Sequence, residues 1–126
     1  MERTLKLTIE TAGIKNEYVV EFPRVKDFIR IEALKQEVTG GTYGMMVSSN
    51  LASQFEAVQM ADIVAYFTVL LPDFMKSLKA KGIDSIDELD AIDFNIIKKV
   101  YQEQFFPWYK VWFETLQKVT KEDETK

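Results

Sequence analysis

Residues 4–22 read TLKLTIETAGIKNEYVVEF, and this stretch decides the fold class. Apolar and polar residues alternate on both sides of residues 12–16, and a period of two is typical of a half-buried strand. Gly13 and Asn16 favour a turn in that segment, which reverses the chain between two such strands. We therefore predict an N-terminal antiparallel hairpin with strands at 4–11 and 17–22, ended by Pro23. Its apolar positions are Leu5, Leu7, Ile9, Tyr18, Val20 and Phe22.

The apolar face of this hairpin needs a cover, because two strands alone are only marginally stable in water. Either the chain's own helices or the strands of a second copy can supply it. The edges of the hairpin also carry backbone groups that are open to pairing. We therefore expect the hairpin to pair with, or pack on, a neighbouring subunit. The interface candidates on it are Leu5, Leu7, Tyr18 and Val20.

After Pro23 the apolar residues recur at steps of three and four, which predicts helices. The fold class is therefore α+β: the hairpin is followed by a bundle of four or five helices in a single domain, residues 1–119, with a polar tail at 120–126. Residues 42–44 are predicted as a short connection after Gly40-Gly41. The helix that follows is apolar on nearly all sides, which predicts the most buried element. The predicted helices run from Val25 to Val38, from near Ser49 or Asn50 to Leu71, from 73 to 78 and from 93 to 119, and the apolar stripe of the first is Val25, Phe28, Ile29, Leu34 and Val38.

The last helix contains a proline. Its apolar residues keep their helical spacing through Pro107, and a proline inside a helix removes a hydrogen bond and bends the rod. We therefore predict one long helix that is kinked at Pro107, or two nearly collinear helices. Trp108 and Trp112 continue the apolar stripe and are predicted to lie in the domain's own core.

Residues 105–113 read FFPWYKVWF and place six aromatic residues within nine positions. One amphipathic helix buries a single stripe against its own domain, so the aromatic residues beside that stripe need another cover. Aromatic residues are enriched in protein interfaces. Phe106, Tyr109 and Phe113 are therefore predicted at a partner contact. The alternative is that the domain wraps this helix on more than one side.

Composition removes most function classes. The 126 residues include no cysteine and no histidine, which excludes disulfides, thiol chemistry, serine–histidine systems and almost every zinc, copper or haem site. The net charge of −4 argues against general nucleic-acid binding, which needs a basic surface. The longest apolar stretch, residues 57–71, is shorter than the ~20 residues that span a bilayer. We predict no membrane contact, no signal peptide and a cytoplasmic location.

Two groups of acids are candidates for chemistry. Asp62 lies in an apolar helix, where a carboxylate can have a raised pKa, but it can equally form the helix's polar edge with Gln59 and Tyr66. The sequence identifies no acid–base partner for it. The second group departs from the spacing of a calcium loop, and acids at helix starts are favoured by the helix dipole. We therefore predict helix capping and solvation for this group, with Asp90 and Asp93 as equally good caps. We predict no catalytic, cofactor or metal residue, and keep an enzyme or ligand-binding module as the alternative. The second group is Asp84, Asp87, Glu88, Asp90 and Asp93.

Five short segments together carry a resemblance to a known family. They are RTLKLTI at 3–9, EYVVEFP at 17–23, DFIRIE at 27–32, GGTY at 40–43 and LLPD at 70–73. The order of these segments resembles the small virion-assembly proteins of tailed bacteriophages, and tail assembly chaperones in particular. The resemblance spans most of residues 3–113 and includes no catalytic motif.

The resemblance implies a non-enzymatic function without cofactors. Proteins of that family self-associate and coat the tape measure protein until tail tube subunits polymerise around it. The expected partners are therefore the chain itself and other phage structural proteins, and the expected location is the host cytoplasm during assembly. A permanent virion component, such as a ring, connector or packaged protein, is the related alternative, and it would place the chain in the virion.

Overall fold

The computed structural model describes residues 3–111 and residue 114. An N-terminal hairpin precedes five α-helices, which confirms the predicted α+β architecture. A 3₁₀ turn, Ile86–Glu88, lies before the fifth helix, a π turn, Tyr101–Phe105, lies after it, and residues 106–111 continue as α-helix. The predictions for Trp112, Phe113 and the tail fall outside the described residues. The elements are β1 (Thr4–Thr11), β2 (Ile14–Glu21), α1 (Val25–Val38), α2 (Tyr43–Ser48), α3 (Ala52–Leu70), α4 (Pro72–Ala80) and α5 (Ala91–Val100).

The hairpin closes through a two-residue turn. Ala12 and Gly13 have φ angles of 53° and 77°, and positive φ at both central residues is the signature of the tight turn that matches strand twist. Thr11 therefore pairs with Ile14, and β2 begins three residues earlier than predicted. The alternation predicted for both strands is confirmed, since the inward residues are buried and the outward ones are exposed.

The chain's own helices cover the inner face of the hairpin. The ring of Tyr18 meets that of Phe74 on α4 edge-on at 5.4 Å, and its hydroxyl donates to the Ser77 hydroxyl at 2.9 Å. On the α5 side, the Thr11 hydroxyl donates to Asp93 at 3.2 Å. Of the two covers predicted for this face, the structure therefore has the chain's own helices, and the placement of its residues at an interface is corrected. Pairing of the hairpin edges with a neighbouring subunit stays a prediction. Leu7, Tyr18 and Val20 are buried within the domain, and Leu5 is half-buried against the same core.

The third helix is the central element, as predicted. Ile63, Ala65 and Phe67 are fully buried, and α3 is apolar around most of its circumference. It begins at Ala52 rather than at Ser49 or Asn50, and it ends one residue before Leu71, where the chain turns by 97° into α4. In residues 3–111, α3 and α4 reach the length and apolarity of a membrane span only when they are added together across this bend, and no single helix does.

The region before α3 differs from its prediction in two respects. Residues 43–48 form the short helix α2, none of whose residues is buried, where a plain connection was predicted. Six residues are too few to show a helical period. The stripe predicted for α1 is also wrong, because Val25, Phe28, Ile29 and Val38 are exposed. The buried residues of that helix are Ile31 and Lys35.

The π turn changes the orientation of the last helix. The Phe106 N–H donates to the carbonyl of Tyr101, five residues earlier, so one extra residue enters the turn. An extra residue rotates everything after it by roughly 100°. Tyr109 therefore faces the core, where it is 7% exposed and stacks on Phe22 and Phe105 with centroids 5.5 Å away in both cases.

This rotation corrects three predictions. Tyr109 is not a partner-facing residue, because its own domain covers it. Trp108 is half-buried, at the edge of the core rather than inside it, with its ring 5.5 Å from that of Phe22. The irregularity predicted at Pro107 lies in the turn before it. Phe106 remains 44% exposed, as its prediction requires.

Candidate functional site

An apolar groove lies between the end of α1, α2, α3, the 3₁₀ turn and α5. Its volume is about 400 Å³. The contribution of α3 is a single stripe, since its four lining residues occur at positions i, i+3, i+4 and i+7. Ten of the eleven residues along the groove are uncharged. They are Val38, Thr39, Met46, Ala57, Met60, Ala61, Val64, Asp87, Leu89, Ala91 and Phe94.

The elements around the groove also carry large apolar side chains that no described residue covers fully. Met45 on α2 is 77% exposed, whereas Phe55 at the start of α3, which is 67% exposed, lies with Asp62 on the other face of that helix. Monomeric proteins rarely expose large contiguous apolar patches unless they bind something there. The exposed large apolar residues on α1 near the groove, α2, α3, α5 and the segment between α2 and α3 are Val38, Met45, Val47, Leu51, Phe55, Met60, Ile92 and Ile96.

One end of the groove is acidic. Asp87 lines it, and Glu88 and Asp90 lie in the same exposed segment. Asp90 accepts a hydrogen bond from the Asp93 N–H at 2.9 Å and so caps α5, which confirms the capping role predicted there. In the described ranges, none of these acids forms an ion pair, and no group of three or more potential metal ligands occurs. This end of the groove therefore has a net negative charge.

A second constellation joins α1, α2 and α3 around Asp62. The ammonium of Lys35, a residue only 6% exposed, lies 3.0 Å from a carboxylate oxygen of Glu32 and 3.7 Å from Oδ1 of Asp62. The Tyr43 hydroxyl donates to the same Oδ1 at 2.6 Å. The Lys35 ammonium also lies 5.0 Å from the ring centroid of Tyr66, within cation–π range. We call these five residues the Asp62 cluster.

Burial shifts the ionisation of this cluster. The pKa of Asp62 is raised by desolvation, which outweighs the hydrogen bond from Tyr43 and the charge of Lys35. Desolvation likewise raises the pKa of Tyr66 to about 12, and it raises the pKa of Tyr43 further, with a contribution from Asp62. These tyrosines are therefore neutral hydrogen-bond donors at ordinary pH. The cluster holds three helices together, and it contains no activated nucleophile.

The sequence indicated Asp62 but not Lys35 and Tyr43, which contact it. Lys35 lies four residues after the buried Ile31, which places it on the inner face of α1, and this spacing was the available signal. Tyr43 was missed because α2 itself was missed. The structure brings Asp62 and Phe106 to one cavity, and it leaves the acids of residues 84–93 elsewhere.

Comparison with family models, curated proteins and solved structures finds no match for this chain.

Proposed function

We propose that this chain is a non-enzymatic assembly protein that holds an amphipathic helix of a partner in the groove between α1, α2, α3 and α5. The observation that carries the proposal is the apolar groove together with the exposed apolar residues on the elements around it. The resemblance to tail assembly chaperones makes the tape measure protein the expected partner. The occupant is a helix with one apolar stripe and lysine or arginine beside it.

The shape and lining of the groove favour a helix as the occupant. Partner helices insert side chains spaced at i, i+3, i+4 and i+7 into apolar grooves of this kind. Met46 and Met60 lie in the lining, and methionine adapts its shape to different apolar partners. A groove with such a lining can accept successive segments of a long helical protein, as a coat on a tape measure protein requires.

The charge of the groove favours a basic occupant. Its acidic end, with Asp87, Glu88 and Asp90, complements lysine or arginine at the edge of an apolar stripe. The net charge of the chain, −4, acts in the same direction at longer range. Association is therefore expected to weaken as salt concentration rises, because the acids are exposed and screened.

A catalytic role for Asp62 is the less favoured alternative. Both groups that touch its Oδ1, the Tyr43 hydroxyl and the Lys35 ammonium, come from helices that pack on α3. Such contacts indicate that this oxygen stabilises the packing of the three helices. Proton transfer requires an acid or base with access to substrate, and Lys35 is buried.

Co-expression with the tape measure protein encoded in the same genome tests the proposal. The double variant Met46→Gln/Met60→Gln makes the groove polar without removing its volume, and recovery of the complex should fall about tenfold or more, as for loss of interface hot spots. The control is Val19→Gln, at a position 58% exposed on the outer face of the hairpin. Equal recovery of both variants would contradict the proposal.

Sedimentation of the purified chain distinguishes a second occupant. If the wild type dimerises and the groove variant does not, the groove holds another copy of this chain and the helix of a different partner is excluded from it. If the two sediment alike and only the complex with the tape measure protein is lost, the proposal stands.

A further inference from the structure

The face of α3 opposite the groove borders a second cavity of about 460 Å³. Four aromatic rings and one carboxylate line most of it: Tyr66, Tyr101, Phe106, Tyr109 and Asp62. A smaller cavity of about 240 Å³ shares Asp62, Tyr101 and Phe106 with it. The main cavity therefore has an aromatic wall with an acid at one side.

The four rings form a continuous row. The centroid distances are 5.9 Å from Phe106 to Tyr101, 6.4 Å from Tyr101 to Tyr66 and 5.1 Å from Tyr66 to Tyr109. The π turn creates this row, because it rotates Tyr109 towards Tyr66, where the two hydroxyls lie 3.3 Å apart. Aromatic faces attract cations through the quadrupole of the ring.

Asp62 has one oxygen left for a ligand. The Tyr43 hydroxyl and the Lys35 ammonium both interact with Oδ1. Within residues 3–111, no hydrogen bond from the protein reaches Oδ2. The side chain of Asp62 is 22% exposed, so solvent and small ligands can reach it.

The local charge is negative on balance. Lys35 is shared by two carboxylates and lies nearer to Glu32, at 3.0 Å, than to Asp62, at 3.7 Å. At the mouth of the cavity, Lys110 and Glu114 lie 3.8 Å apart and cancel each other. Two carboxylates against one ammonium leave about one negative charge beside the cavity, in surroundings where water screens it poorly.

The chain already shows which ligand chemistry this arrangement stabilises. On the α1 side, Asp62 and the ring of Tyr66 together hold an ammonium group, that of Lys35, with the Nζ 5.0 Å from the ring centroid. The same two residues line the cavity. A second ammonium group on the cavity side would donate to Oδ2 and lie against the remaining rings.

We propose that this cavity binds a primary alkylammonium group, with the nitrogen at Asp62 and the methylene groups along the rings of Tyr66, Tyr101 and Phe106. The group can belong to a free amine or to a lysine side chain of another protein. This site is independent of the groove, since α3 separates the two.

Titration with n-butylammonium chloride at constant ionic strength tests the proposal, with the ring signals of the tyrosines followed by NMR. We expect saturable shifts in Tyr66 and Tyr101, while the neutral control n-butanol gives weaker ones. Asp62→Asn should lower affinity about tenfold, because it removes a charge-assisted hydrogen bond. The matched control is Asp73→Asn on α4, a carboxylate 81% exposed, and it should bind like the wild type.

A second variant keeps the test valid if Asp62→Asn fails to fold. Phe106→Leu removes one ring face at a position 44% exposed, and it should lower affinity about threefold because the methylene groups lose part of the aromatic surface on which they pack. Butanol binding as tightly as butylammonium, or unchanged affinity in both variants, would overturn the proposal. A capped lysine that binds as tightly as butylammonium identifies a protein side chain as the source, and one that does not bind identifies a free amine.

Discussion

The hairpin, which we call the first half, and residues 25–60, which we call the second half, differ in how fully their large apolar residues are buried. Leu7, Ile9 and Val20 of the hairpin are fully buried by the chain's own helices. Across residues 25–60, by contrast, Phe28, Ile29, Phe55 and several other large apolar residues remain exposed. Since burial of apolar surface is the main stabilising term in folding, the first half supplies the stability. The second half leaves apolar surface exposed, including residues on which the proposed binding of a partner helix rests.

The largest effect should come from the core. Phe67→Ala removes a fully buried ring and should lower the free energy of unfolding by about 3–5 kcal/mol, which combines lost transfer energy with a cavity. Phe55→Ala, at a ring 67% exposed, should change it by less than about 0.5 kcal/mol. Urea unfolding of both variants measures the difference. Similar losses in both would mean that the exposed apolar residues contribute as much to stability as the core does.

Alkaline unfolding should come next in size. Desolvation raises the pKa of Tyr66, Tyr101 and Tyr109 above the ordinary 10.0, so folding favours their neutral forms. The stability that the neutral forms contribute is complete below pH 10 and is lost as pH rises through the pKa values of the folded state. For Tyr66, whose pKa in the folded state is about 12, the loss is on the order of 2–3 kcal/mol. Tyrosinate absorbance should therefore rise together with the loss of circular dichroism. Ionisation of these tyrosines in a folded chain would contradict the assignment of this wall to the core.

Tyr43→Phe should have a moderate and local effect. It removes the hydrogen bond between Tyr43 on α2 and Asp62 on α3. A hydrogen bond to a charged group contributes about 1.5 kcal/mol to the free energy of unfolding. Because α2 has no buried residue, its amides should exchange faster while those of α3 keep their protection. Hydrogen exchange measured by NMR distinguishes this outcome from global destabilisation. Tyr18→Phe, which removes a hydroxyl bonded to Ser77, is the matched change in the first half.

The smallest effect should be the pH dependence that Asp62 adds. Burial raises the pKa of this carboxyl above its ordinary 3.8, so the folded state binds the proton more tightly than the unfolded state does. Its contribution to stability is therefore complete below pH 3.8 and is lost as pH rises through the folded value. The stability of the wild type relative to Asp62→Asn should fall across that window. A difference that rises with pH would show that Lys35 dominates this site.

The hairpin, the central helix and the cap of α5 were predictable because each depends on neighbours in sequence. Alternation places Leu7 and Ile9 on one face of a strand whatever lies above it. Asp90 caps through an N–H only three residues away. Even so, alternation shows which face is buried and not what buries it. For that reason the sequence left open the choice between a second copy and the chain's own helices, which are α4 and α5 in the structure.

The candidate sites, in contrast, were decided by tertiary structure. The Asp62 cluster joins residues 32, 35, 43, 62 and 66, and packing of three helices brings these residues together. The direction of Tyr109 depends on one extra residue in the turn at Tyr101–Phe105, and the apolar spacing reads the same with or without it. Sequence periodicity shows which residues share one face of a helix or strand. A cavity depends instead on how neighbouring elements are rotated and spaced relative to each other, and only the packed core determines that.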